Sequence, residues 1–165
     1  MVHYFVNDAD VLEPSSRNWL LRHSHLGFAL WGAVQRLTGP RDAAAVADRY
    51  RATYAPDSPG FRAMAAALAR LAEYSRRHDI GLVLAMTPDL HTLEPYPLDF
   101  IHTRMRELAA TLGYAYVDLL PPFLGKRAQS FWAMPGDAHP NAEGHRLMAD
   151  LLTPVIADML AARGD

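Results

Sequence analysis

Ile80-Gly-Leu-Val-Leu-Ala-Met86, stopped by Thr87-Pro88, is a nearly unbroken apolar run of strand length. A strand wetted on one face alternates polar and apolar residues, whereas one covered on both faces does not. The run therefore predicts a central strand of a parallel sheet. Upstream, Phe61 to His78 has the apolar periodicity of an Ala-rich amphipathic helix, with Ala55-Pro-Asp-Ser-Pro-Gly60 as the turn before it. Helices are predicted before that at about Asp42 to Tyr54 and Ser15 to Leu37, the latter capped by Ser15 or Ser16 and stopped at Gly39-Pro40. Val2-His-Tyr-Phe-Val6 is a first strand that ends at Asn7-Asp8. Downstream, a helix over Leu98 to Leu112 stops at Gly113, and Tyr114-Ala-Tyr-Val-Asp118 reads as a third strand. Leu119 to Met134 reads as mostly loop, and a last helix runs from Pro140 to Ala162. Strand, helices, strand, helix, strand, helix is the order of parallel βαβ units with right-handed crossovers, an α/β fold in one domain.

Composition narrows the function classes. The 165 residues are 50% hydrophobic and 21% charged, enough for one domain that buries roughly 70% of its unfolded surface. A net charge of −2 gives no bulk attraction to nucleic acid or an anionic membrane. With no cysteine there is no disulfide, thiolate zinc ligand or thiol nucleophile. No apolar run approaches the roughly 18 residues of a membrane span, and the opening residues lack the basic and apolar regions of a signal peptide. The expectation is a soluble chain, cytoplasmic by default. Gly125-Lys126 lacks the rest of a phosphate-binding loop. Arg76-Arg77 suits a helix C-terminus.

In open parallel sheets ligands bind beyond the carboxyl ends of the strands. Three segments converge there: Asn7-Asp8, Thr87-Pro88-Asp89, and Pro135-Gly-Asp-Ala-His-Pro-Asn-Ala-Glu-Gly-His145. In extended backbone Asp137 and His139 point the same way, and a carboxylate at that separation can orient an imidazole. Imidazole, with an unperturbed pKa near 6.5, is suited to general-base work near neutral pH. Spacing alone leaves open that Asp137 caps the last helix and that His139 is an ordinary loop residue.

Gly136-Asp-Ala-His-Pro-Asn-Ala-Glu-Gly-His145 resembles the C-terminal catalytic block of the SGNH, or GDSL, hydrolase superfamily, where an Asp and a His complete a Ser-His-Asp triad. Val6-Asn7-Asp8 is similar to that superfamily's third block, whose Asn helps to form the oxyanion hole. The two blocks occur in the family order, so the resemblance spans nearly all of the chain. It implies a three-layer, flavodoxin-like SGNH-type parallel sheet in which the strands here would be the third, fourth and fifth. It further implies His139 as general base, Asp137 as its orienting carboxylate and Asn7 as oxyanion donor, a contact type worth about 3 kcal/mol. Asn141 is expected to secure the loop or helix start, and His145 to face the helix surface.

Two features depart from the family pattern. The commonest spacing is Asp-x-x-His, and the Asp-x-His here is shared with polysaccharide O-acetyltransferase relatives. The Gly-Asp-Ser of the first block is missing, and the second-block glycine would fall before residue 1. The expectation is a domain lacking its first strands, with the nucleophile supplied from upstream or by another chain. The strand at residues 2–6 is then an unpaired edge open to a partner strand or a homodimer. Of Ser15, Ser16, Ser24, Ser58, Ser75 and Ser130, only Ser130 falls near the Asp-His loop. The implied substrate is a small-molecule or carbohydrate ester cleaved through an acyl-enzyme. The alternatives are an O-acetyltransferase and a non-catalytic binding or assembly module. No cofactor is called for, and no metal either: His23 and His25 diverge on a helix, while Asp137, His139 and His145 would share an ion only if the helix start unwound. Trp19, Phe28, Leu30 and Trp31 are assigned to the core or the sheet-covering face.

Overall fold

The computed structural model describes residues 1–10, 24–27, 29–30 and 43–162. Its frame is a three-stranded parallel sheet in the order β1 (Val2–Tyr4), β2 (Val83–Met86), β3 (Ala115–Asp118). α1 (Ala43–Thr53) and α2 (Pro59–Arg77) lie between β1 and β2, and α3 (Asp99–Leu112) joins β2 to β3. Two 3-10 turns, Pro121–Phe123 and Ala128–Phe131, lead into an antiparallel hairpin of β4 (Trp132–Met134) and β5 (Asp137–Pro140), and α4 (Ala142–Ala161) closes the chain. This is the α/β class expected.

Every residue of β2 is buried, and alternate residues enter opposite cores. Leu84 and Met86 pack with Tyr54 just past α1, Leu68 and Ala72 of α2, and Ile101 and Met105 of α3. Val83 and Ala85 pack with Val117, Phe123, Phe131 and Met148 of α4. Helices on both faces remove any reason for alternation, which explains the unbroken apolar run. Each fully buried Leu or Met contributes roughly 1.5–3 kcal/mol.

The helix signals hold within a residue or two. Ser58 caps α2 by accepting from the Phe61 N–H at 3.2 Å, and Gly113 ends α3 at φ +80, a conformation costly to any residue with a Cβ. β1 is shorter than the expected 2–6. Thr87 N–H still donates to Tyr4 O, but the Phe5 N–H turns to the Asp8 carboxylate at 2.8 Å, a local bond that takes the backbone out of the ladder.

Other expectations need correction. Residues 119–134 hold two 3-10 turns and β4, not mostly loop. Pro140 belongs to β5 opposite Trp132, and α4 begins two residues later, because Asn141 provides the better cap: its Oδ1 accepts from Gly144 N–H at 3.0 Å. Leu30 is 58% exposed, so it is not a core residue. The predicted helix from Ser15 to Leu37 lies largely outside the described residues, as do Ser15, Ser16, Trp19, His23, Phe28 and Trp31.

Candidate functional site

Three segments leave the carboxyl edge of the sheet, and each is tied down by neighbours. The turn after β1 is held by α1 and the residue just past its end: Tyr54 OH donates to Val6 O at 3.0 Å, and Arg49 of α1 pairs with Asp10 at 2.8 Å. Tyr4 OH and Tyr54 OH lie 2.6 Å apart, and burial pushes both phenols well above their ordinary range, so they stay protonated as donors. Asn7 sits exposed between these anchors. Among the described residues no hydrogen bond links it to Asp137 or His139.

Asp137 and His139 meet as the spacing anticipates. Pro135-Gly136 makes the two-residue turn from β4 to β5, and Gly136 takes φ +83, the left-handed value required at the second position of a Pro-Gly type II turn. Beyond it, Asp137 Oδ1 accepts from the His139 backbone N–H at 3.0 Å and from ring Nδ1–H at 2.5 Å. The bond from His139 holds the Asp137 carboxyl below the usual carboxylate range. The imidazole side chain is 87% exposed, and its Nε2 has no hydrogen-bond partner among the described residues. Asp137 does not cap α4; Asn141 does, while its Nδ2 donates to Ser130 O at 2.9 Å. His145 is exposed on α4.

A second pair with the same spacing follows β2; the segment Thr87-Pro88-Asp89 singled out in the sequence contains its aspartate but ends two residues short of its histidine, His91. Asp89 Oδ1 accepts from both the backbone N–H and Nδ1–H of His91, each at 2.7 Å. The Asp89 bond raises the His91 pKa above its ordinary value, outweighing partial burial. Pro88-Asp89-Leu90-His91 shares with Gly136-Asp137-Ala138-His139 a turn-favouring residue followed by Asp-x-His. That was the available signal. Trp132 joins the two loops: its indole N–H donates to Leu90 O at 2.8 Å, its ring meets His91 edge-on at 6.5 Å, and its backbone lies opposite Pro140.

A third pair is sealed. His102 of α3, fully buried, donates Nδ1–H to Asp118 at the end of β3 at 2.8 Å, leaving Nε2 to accept from Tyr96 OH at 3.0 Å. Tyr96 oxygen in turn accepts from the Asp89 backbone N–H at 3.1 Å. Asp118 also receives Leu120 N–H and Arg106. Burial alone would raise the Asp118 pKa, but the bonds from His102 and Leu120 and the charge of Arg106 lower it instead. With both ring nitrogens occupied, His102 is architectural: it sets the backbone from which His91 projects.

Compared with known proteins, the chain matches no family model, no curated protein and no solved structure.

A cleft of about 470 Å³ opens between α1 and the β2–α3 loop. Ala43, Val46 and Tyr50 form one wall, Tyr96, Pro97 and Leu98 the other, with Asp89, His91, Thr92 and Arg49 also lining it. Burial and the nearby Asp10 and Asp89 charges raise the Tyr50 pKa despite Arg49. Among the described residues the lining includes none of Asn7, Asp137 and His139.

The described serines are engaged elsewhere, with one exception. Ser24 Oγ accepts from Gly27 N–H, Ser58 donates to Thr53 O and Ser75 to Ile80 O. Ser130 is exposed in the second 3-10 turn, with no hydrogen bond to His139. No group of three or more potential metal ligands occurs among the described residues, and no described helix is long and apolar enough to cross a membrane.

Proposed function

We propose that this domain carries the proton-transfer half of an SGNH-type serine esterase or deacylase, acting on a small-molecule or carbohydrate ester. The observation that carries the reading is the Asp137–His139 pair: Nδ1 is held by the carboxylate and Nε2 is left open, the disposition a general base requires. The parallel order β1-β2-β3 supports it, being the order of the third to fifth strands of a 2-1-3-4-5 flavodoxin-like sheet. In this reading His139 takes the proton of an attacking serine, Asp137 stabilises the imidazolium, and the Asn7 amide donates to the tetrahedral oxyanion. The serine comes from outside the described residues. Among the described residues no strand pairs with the side of β1 away from β2, and this reading gives that side to a partner strand or a second copy. The Asp-x-His spacing supports a second reading, an O-acetyltransferase in which a sugar hydroxyl replaces water.

Two measurements on the 165-residue chain test this. Fluorophosphonate labelling and p-nitrophenyl acetate hydrolysis are expected to be absent; labelling lost in Ser130→Ala would make Ser130 the nucleophile of a complete enzyme. An acetylated monosaccharide is expected to bind saturably, and His139→Ala and Asn7→Ala to weaken it severalfold. Binding indifferent to both substitutions would remove the site from these residues.

A further inference from the structure

The lining of the cleft beside His91 joins apolar walls to one oriented histidine, and that combination selects a ligand chemistry of its own. We propose that the cleft binds an uncharged apolar alcohol, whose hydroxyl donates to His91 Nε2 while its hydrocarbon body lies against Val46, Tyr50, Tyr96 and Pro97. The inference does not rest on the esterase reading, since Asn7, Asp137 and His139 are not among the described residues that line the cleft.

Hydrogen-bond polarity follows from Asp89. Its carboxylate accepts Nδ1–H, so the neutral ring presents a lone pair at Nε2, where no partner occurs among the described residues. A ligand must therefore bring a donor, which an alcohol has and a ketone or an ether lacks. The ring is steadied on three sides: its backbone N–H goes to the same carboxylate, Trp132 meets its edge at 6.5 Å, and the Asp89 backbone N–H donates to Tyr96, itself bonded to His102. The charged and titratable groups that share the lining with His91 are Asp89, Arg49, Tyr50 and Tyr96. Asp89 is paired with the ring and Arg49 with Asp10, while burial raises both phenol pKa values and keeps them neutral. No unbalanced charge is left to offset the lost hydration of an ammonium or a carboxylate, whereas an alcohol gives up far less. The apolar walls reward a larger body, since each buried methylene is worth about three- to fourfold in affinity, and 470 Å³ is within the usual range for small-molecule sites.

Cyclohexanol and cyclohexanone test the polarity, because they share a body and differ in the donor. Each is titrated into the full chain at about pH 8.5, above the usual histidine range, while the histidine ring and Trp132 indole resonances are followed by NMR. Cyclohexanol should shift the His91 resonances saturably. It should bind about fivefold more tightly than cyclohexanone, the worth of one hydrogen bond, and at least about tenfold more tightly than methanol, which lacks the body. As the pH falls through the His91 value, which Asp89 holds above the ordinary 6.5, Nε2 becomes a donor and the advantage of the alcohol over the ketone should vanish. His91→Leu, followed at the Trp132 indole, should bring alcohol and ketone to equal affinity. Thr92→Trp, which adds an indole to the lining, should weaken cyclohexanol at least about tenfold, and Ala43→Trp provides a second block should the first fail to fold. His139→Ala should leave cyclohexanol binding unchanged. A ketone that binds as well as the alcohol at the higher pH, absence of a His91 shift, binding indifferent to a folded tryptophan variant, or binding lost in His139→Ala overturns the assignment.

Discussion

His102 and His139 are both hydrogen-bonded through Nδ1 to an aspartate, yet one side chain is fully buried and the other 87% exposed. In the buried pair every remaining valence is filled, by Tyr96 on the histidine and by Leu120 and Arg106 on the aspartate. In the exposed pair, as in Asp89–His91, a ring nitrogen is left without a partner among the described residues. An Asp-His contact therefore says little about chemistry until the second nitrogen is accounted for. Saturation makes a brace, whereas an open Nε2 makes a group able to accept or deliver a proton.

The sharpest way to break this comparison is to remove each imidazole. His102→Ala should cost about 3–5 kcal/mol, because Asp118 and Tyr96 lose a buried partner and a cavity remains. His139→Ala should stay within about 0.5 kcal/mol, as for an exposed side chain. Urea unfolding of the two variants measures the difference, and similar losses would erase the distinction between brace and base. The next effect concerns the link between the two open pairs. Trp132→Phe should cost about 1–2 kcal/mol by orphaning Leu90 O, and should move the His91 ring resonances as well as those of His139. Movement of neither would show that the indole does not couple the loops.

The pH responses are smaller and differ in sign. The folded Asp118 pKa is below its unfolded value, so its contribution to stability is complete above the ordinary Asp range and is lost as the pH falls through the folded value. Asp118→Asn should flatten the fall in stability between about pH 5 and 3, seen as urea midpoints that converge with wild type at the acid end. His91 behaves oppositely: its folded pKa is raised, so any contribution is complete below about pH 6.5 and is lost as the pH rises through the folded value. Asp89→Asn should bring the His91 NMR titration down toward the ordinary value, with little change in melting temperature. An unchanged titration would show that the carboxylate does not hold the ring in solution.

Local chemistry made some of this legible. The run Ile80–Met86 announced a doubly covered strand, which forms over Val83–Met86 while Ile80 stays exposed; Gly113 announced a helix stop, and Asp137-x-His139 a contact between two side chains on one face of extended backbone. The β4–β5 hairpin was not legible, because Trp132-Ala-Met134 shows no clear alternation and its neighbours carry turn residues. The start of α4 shifted for a related reason: Pro140 is acceptable in a first helical turn, but opposite Trp132 it completes the hairpin.

By itself the sequence determined the class of fold and one Asp-His pair, since apolar periodicity and a two-residue spacing act through the chain's own geometry. Tertiary structure alone decided which histidine is sealed and which is open. His102 and Asp118 are 16 residues apart in sequence and meet only because α3 packs on the sheet beside β3. His91 gains its role from α1, which forms the opposite wall of its cleft. Such assignments depend on which surfaces exclude water from one another, and that is settled only when the helices close over the sheet.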